Sequence, residues 1–456
     1  MNEEILKELQ RLNRQLKELD EKIDLLDKKA NRVNRQTSTL WKKFKRQVKR
    51  MASKPTLVGR ILGKLLKCYR FGWRYIYCVV VRRKGIQNNK IVFISHRGKQ
   101  YSCNPMYLSR YLMEQYPGKF EIVWAFDTPS KFDYLKNQGI QVVQKESKEH
   151  LKHLMTAKVI VTNVDFYTYL PKVRGQIALD TWHGGGSYKT CGFANVQNLM
   201  TSRQQRYFKR LYSKVNLYCS SSRVFTQQTI RDSRLFQGEV LEVGMPRNDF
   251  LITRDKPYIE GKVRKYFSLD PETKIVLYAP TYRSVAELAS IPELDIKSMN
   301  QALSQRFGGK WCCLYRAHHL GSPTGIENEI DYENVLSAVD YPDMQELLYA
   351  ADVLVSDYSS CIWDFSLQYR PVFLYCPDLH KYTSSRDFYT PIEEWHFILT
   401  QSQKELEEQI QCFNETQYRA GIEQHHRELG CCESGQATKI ICKRIFDECF
   451  SEEDRK

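Results

Sequence analysis

Three short stretches of the chain hold residue types suited to phosphate chemistry. Thr181-Trp182-His183-Gly184-Gly185-Gly186-Ser187-Tyr188-Lys189 sets a histidine against three glycines and a lysine, and Tyr315-Arg316-Ala317-His318-His319 sets an arginine two residues before another histidine. An imidazole exchanges a proton near neutral pH, and a glycine run lets a charged ligand approach backbone amides. Asp357-Tyr358-Ser359-Ser360 precedes an apolar, helix-like run from Cys361 to Leu367. Its hydroxyls and amides therefore fall at a helix start, where an anion is favoured. Proton transfer beside a phosphate seat is the chemistry these residues imply.

The elements that must position them begin near Lys90. Ile91 to Ser95 reads as a buried strand, Pro105 to Gln115 as a helix, Glu121 to Phe126 as a strand, and Val142-Val143 and Val159 to Thr162 as further strands. A second series follows: strands at Ile275 to Ala279, Trp311 to Arg316, Val353 to Val355 and Val372 to Tyr375, with helices at Met344 to Ala351 and Ser359 to Leu367. This alternation predicts an α/β fold of two Rossmann-type domains facing a cleft, at 85–255 and 256–440, joined within Arg247 to Phe267 and followed by a polar tail at 441–456. Ligands in such sheets lie beyond the strand C-termini, where His183, Thr281, His318, Asp357 and Pro377 fall.

The N-terminal part has a different texture. Ile5, Leu9, Leu12, Leu16, Leu19, Ile23, Leu26, Ala30 and Val33 alternate four and three apart, which predicts a coiled coil over 1–40 and self-association through it. The formal charge of +16 is concentrated next door: residues 41–84 carry fifteen Lys/Arg and no acid, whereas 85–456 carry no net charge. Trp41, Phe44, Leu57, Ile61, Leu65, Phe71, Trp73, Tyr75 and Ile76 lie among those cations. Apolar and basic residues interleaved in this way suit an anionic membrane surface, and no nucleic-acid-reading motif accompanies them. A signal-peptide core and a membrane-spanning run are both missing, and the fourteen cysteines show no paired zinc spacing, so a cytosolic protein with buried free thiols is expected.

The ordered set Trp182-His183-Gly184, Gly244-Met245-Pro246-Arg247-Asn248-Asp249, Tyr278-Ala279-Pro280-Thr281-Tyr282-Arg283, Arg316-Ala317-His318, Asp357-Tyr358-Ser359-Ser360 with Asp364-Phe365, Arg370-Pro371 and Arg386-Asp387-Phe388-Tyr389 resembles the CDP-glycerol glycerophosphotransferases of teichoic acid synthesis, over roughly residues 90–430. The resemblance implies a GT-B fold, peripheral attachment to the inner face of a bacterial cell membrane, and transfer of a polyol phosphate from a CDP-activated donor to a lipid-linked or polymeric acceptor. The first motif departs from the family pattern: Gly185-Gly186-Ser187-Tyr188-Lys189 stands where Thr-Pro-Leu-Lys is usual. That difference bears on glycerol against ribitol as the polyol, and on sugar transfer as another use of the fold, more than on reaction class. An inactive coiled-coil membrane scaffold is the reading from a different class.

Such a transfer needs one base and several cationic or amide donors. His183 is the expected base, within the loop of Gly184, Gly185, Gly186 and Lys189. Arg316 and His318 alternate at a strand end and so share a face, where they would clamp the pyrophosphate, with His318 as a second catalytic residue, protonated or donating to the leaving phosphate. Arg386 would add a bidentate contact, and Ser359 and Ser360 would take phosphate oxygens. Thr281 and Arg283 are phosphate neighbours, Asp357 orders the serine loop or touches the ribose, and Asp249 holds a turn or meets ligand. No fixed metal is expected; a divalent cation, if one takes part, arrives with the donor.

Overall fold

The computed structural model describes residues 68, 71–164, 166–167, 170–195, 200–281, 294–316, 334–384 and 386–450. The predicted coiled coil, and the basic segment before residue 68, lie outside the described residues. The chain divides into two compact units, 1–77 and 78–456. In the first, residues 71–77 are helical and the rings of Trp73 and Tyr77 stack at 5.7 Å. No helix among the described residues is long and apolar enough to cross a membrane.

The second unit contains two all-parallel sheets. The first is built from β1 (Gln87–Ile94), β2 (Glu121–Phe126), β3 (Gln141–Gln144), β4 (Ala157–Thr162), β5 (Ile177–Asp180), β6 (Leu217–Ser220) and β7 (Glu239–Glu242), in the order β3-β2-β1-β4-β5-β6-β7. The second comprises β8 (Lys274–Ala279), β9 (Trp311–Tyr315), β10 (Val335–Ser337), β11 (Val353–Ser356), β12 (Val372–Tyr375) and β13 (Ile398–Thr400), in the order β10-β9-β8-β11-β12-β13. Both carry the doubly wound order, with the order of winding reversing between β1 and β4 and between β8 and β11 while every strand stays parallel. Strands buried on both faces require continuous apolar runs, which Ile91-Val92-Phe93-Ile94 and Ile275-Val276-Leu277 supply. Ile91 accordingly pairs with Ile122 on one side and Val159 on the other.

Four helices matter for the site: α1 (Cys103–Gln115), α2 (Met344–Ala350), α3 (Cys361–Ser366) and α4 (Glu415–Leu429). A fifth, α5 (Ala437–Cys449), replaces the predicted polar tail at 441–456. Its Ala437, Ile441, Cys442, Ile445 and Cys449 are buried in the core of the first sheet with Leu108 and Leu112 of α1. Helical spacing of those five residues explains the difference, because their polar neighbours mask the stripe in a linear reading. All fourteen cysteines are free thiols, and nine are buried.

Candidate functional site

At the reversal point of the first sheet, His96 follows β1 and Asn163 follows β4. The His96 amide donates to Asn163 Oδ1 at 2.8 Å, and Asn163 Nδ2 donates to Ser95 Oγ at 3.3 Å. The Asn163 carbonyl lies 2.7 Å from His183 Nδ1. A carbonyl only accepts, so the ring proton sits on Nδ1 and the Nε2 lone pair is left for chemistry. The His96 ring stands edge-on to that of His183, centroids 5.8 Å apart. Burial, then His96 and the Arg247 and Arg234 cations, push His183 down to about 3 against the opposing Asn163 carbonyl. Burial, then Arg247 and Lys99, push His96 down to about 4. Both imidazoles are neutral at pH 7. His96 and Asn163 escaped the sequence reading, although each follows a strand at the position that drew attention to His183.

The second sheet repeats the arrangement. Thr281 follows β8 and Asp357 follows β11; the Thr281 amide and hydroxyl donate to Asp357 Oδ1 at 2.8 and 2.6 Å. Asp357 thus ties together the two loops at that reversal point. Ser359 Oγ accepts from the Cys361 amide at 3.4 Å, and Ser360, at the N-cap of α3, makes no capping bond through its side chain. Tyr358 stacks on Tyr382 at 3.7 Å and donates to Asp378 Oδ1 at 3.0 Å.

The glycine loop brings these two points together. A Cβ on Gly184 would lie 2.8 Å from Ser360 Oγ, one on Gly185 2.1 Å from Trp363 Cδ1, and one on Gly186, at φ +75°, 2.4 Å from the Tyr188 ring. All three glycines are buried, and the missing side chains of Gly184 and Gly185 are what let the loop lie against Ser360 and α3. Beyond them Lys189 forms an antiparallel bridge with Phe388, the Thr190 amide donates to the Asp387 carbonyl at 3.0 Å, and the Tyr389 amide donates to the Tyr188 carbonyl at 2.9 Å. Lys189 Nζ and Arg386 Cζ lie 5.8 and 4.8 Å from the centre of one ring, Tyr382. Three sequence motifs therefore meet: the loop that runs from His183 to Lys189, the serine pair at Ser360, and the segment of Arg386.

A buried ion pair stands beside them. Arg247 Nη2 reaches Asp364 Oδ2 at 2.8 Å, and Asp364 also accepts from Asn248 at 3.0 Å and Gln345 at 2.8 Å. Asn104 of α1 accepts from the Arg247 amide at 3.1 Å and donates to the carbonyls of Thr181 and Trp182 at 3.0 and 3.1 Å, linking this pair to the histidine loop. Glu433 accepts from the Met245 amide, Asn248 and Trp363 Nε1, and burial pushes its carboxyl up to about 8.

The remaining expected residues have other surroundings. Asp249 accepts from the amides of Ala437 and Thr438 at 2.9 and 2.7 Å and so caps α5. Arg316 Nη1 donates to the carbonyls of Ala338 and Tyr341 at 2.6 and 2.5 Å, and burial lowers the guanidinium pKa. His318 and Arg283 lie outside the described residues. Among the described residues one trio could hold a metal ion, His396, His425 and Glu428, and it belongs to none of these motifs.

A family model described as CDP-Glycerol:Poly(glycerophosphate) glycerophosphotransferase matches residues 76–447. The teichoic acid poly(glycerol phosphate) polymerase of Bacillus spizizenii is 30% identical over 346 residues, which are 73% of this chain and 86% of that protein. The Staphylococcus epidermidis protein of the same name is 28% identical over 389 residues, 81% of this chain, which spans 52% of that longer relative. The solved structure of the wall teichoic acid polymerase TagF aligns with a TM-score of 0.71 at 25% identity, covering 86% of this chain and 96% of that one, so the two sheets are the lobes of a GT-B fold. With its motifs gathered at the two reversal points and the match running through both sheets, the chain belongs to the CDP-glycerol:poly(glycerophosphate) glycerophosphotransferase family.

Proposed function

We propose that the protein transfers glycerol phosphate from CDP-glycerol to a hydroxyl of a lipid-linked or polymeric acceptor in teichoic acid synthesis, releasing CMP. The observation that carries this reading is the approach of the His183 loop to Ser360, which sets a base with a bare Nε2 beside a hydroxyl-bearing helix start. The acceptor oxygen attacks the glycerol-bearing phosphorus, its proton passes to His183 Nε2, and the bond to the bridging oxygen breaks so that CMP leaves with the electron pair. Ser359 and Ser360 would hold phosphate oxygens, while Lys189 and Arg386, both near the Tyr382 ring, would offset the charge. A pKa of about 3 makes a weak base in the free protein. A bound pyrophosphate would raise it, because a nearby anion favours the imidazolium. The base is thus strengthened by the donor itself.

Arg316 would bind the pyrophosphate through the part of its guanidinium other than Nη1, and His318 is proposed to donate a proton to the leaving phosphate. A divalent cation, if one takes part, would arrive with the donor, and no fixed metal is proposed for the transfer. Attachment to the inner face of the membrane would use the basic segment together with Phe71, Tyr75, Ile76 and Val80, which are 41 to 64% exposed. The heptad of 1–40 would join copies of the chain. The test is incubation of the purified protein with CDP-glycerol or CDP-ribitol and a defined lipid primer, reading CMP release and product length. Release from CDP-glycerol alone is expected. Release from CDP-ribitol alone would replace the donor, and no release from either would favour the scaffold.

A further inference from the structure

The geometry points to a second ligand site, for a borderline divalent cation, zinc by its donor set, held by His396, His425 and Glu428. His425 and Glu428 are three residues apart and share a face of α4. His396 reaches them from the segment before β13, with its backbone in the left-handed region at φ 59°. One donor atom from each side chain lies within 4.8 Å of the other two. Two imidazoles and one carboxylate suit zinc and its neighbours in the first transition row rather than magnesium or calcium, which take oxygen donors.

The groups around the trio orient it as outer partners orient metal ligands. Tyr188 Oη lies 2.9 Å from His425 Nε2, so Nδ1 is the nitrogen that His425 offers, and a ring metallated there donates its Nε2 proton to the tyrosine. Gln424 donates to Glu428 Oε1 at 2.7 Å and leaves Oε2 for the ion. His396 Nε2 and Glu428 Oε2 are 2.8 Å apart, a little less than the roughly 3.3 Å spanned by two ligands at about 2.0–2.1 Å in a tetrahedron. A small outward movement admits the ion. Glu428 is exposed and His396 partly so, which provides an entry path, and three protein ligands leave a fourth position for water.

The site would act on the glycine loop. Tyr188, bonded to His425, also accepts from the Tyr389 amide and precedes Lys189, so an ion that fixes His425 steadies the pairing of residues 188–190 with 387–389. The alternative is a plain His396–Glu428 ion pair with His425 serving Tyr188 alone.

The full-length protein, stripped with a chelator, would be titrated with zinc against a chromophoric competitor, and the loaded protein examined by zinc-edge X-ray absorption. One site with a nitrogen and oxygen shell at about 2.0–2.1 Å is expected. The double variant His396→Gln, Glu428→Gln should bind at least about tenfold more weakly while keeping the metal-free melting temperature. If that variant fails to fold, Glu428→Gln, an exposed change, serves in its place. A sulfur shell near about 2.3 Å, which the fourteen thiols could supply, overturns the assignment. So does unchanged affinity in the variant.

Discussion

Gly185 lies against the indole of Trp363 so closely that a methyl group on its α-carbon would sit 2.1 Å from Cδ1. Trp363 is fully buried, so the ring cannot swing aside into solvent. Gly185→Ala should cost about 1–3 kcal/mol through overpacking. Chemical denaturation would read that loss, and an unchanged midpoint would show that the two lobes separate freely at this contact.

Arg247 and Asp364 form the buried pair that ties the Gly244–Asp249 motif to α3. Asp364→Ala leaves a buried guanidinium without its partner and should destabilise the protein by about 3–5 kcal/mol. Replacing both residues with apolar ones of similar size should cost much less. Equal losses for the single and double variants would mean that the pair's worth lies in packing alone.

His183→Asn should lower CMP release by about 10²–10⁴-fold, the usual worth of a general base. Because the base must be neutral, activity falls as pH drops. The acidic limb of kcat/KM, which reports the free enzyme, should lie well below 6.5, and that of kcat, which reports the donor complex, at higher pH. Coincident limbs would argue against strengthening of the base by bound donor.

Burial of His96 and His183 in neutral form also links stability to pH. Their folded values lie below the ordinary 6.5, so this stability is complete above pH 6.5 and is lost as pH falls toward about 4 and about 3. The variant His96→Gln, His183→Asn should therefore lose less stability than the unaltered protein between pH 6.5 and 4.5, measured as the shift in denaturation midpoint.

Removal of residues 1–84 should weaken binding to anionic vesicles while some turnover of a soluble acceptor analogue remains. Vesicle sedimentation at two salt concentrations would read the electrostatic share. Equal binding after the deletion would remove the basic segment from the account of membrane attachment.

Both sheets were legible in the sequence because central parallel strands are continuous apolar runs, as at Ile91 to Ile94 and Val372 to Tyr375. β5, β6, β7, β10 and β13 were not, being three or four residues long with polar or mixed flanks. The position after a strand pointed to His183, Thr281 and Asp357, and the same rule applied to β1 and β4 yields His96 and Asn163. The work of the three glycines was hidden for another reason. They were expected to open amides to a ligand, whereas the neighbours that need their small size, Ser360 and Trp363, lie far along the chain. Asp249 was read as a turn or ligand contact, and its role as cap of α5 depends on a helix that begins at Ala437.

That last helix has a consequence for biosynthesis. Ala437 to Cys449 completes the hydrophobic interior of the lobe whose first strand starts at Gln87, so during synthesis this lobe waits, with Leu108 and Leu112 uncovered, until the whole intervening lobe has emerged. A ribosome stalled before residue 437 would leave an apolar groove for chaperones to guard, and neither lobe can be excised as a self-sufficient piece by cutting the chain once.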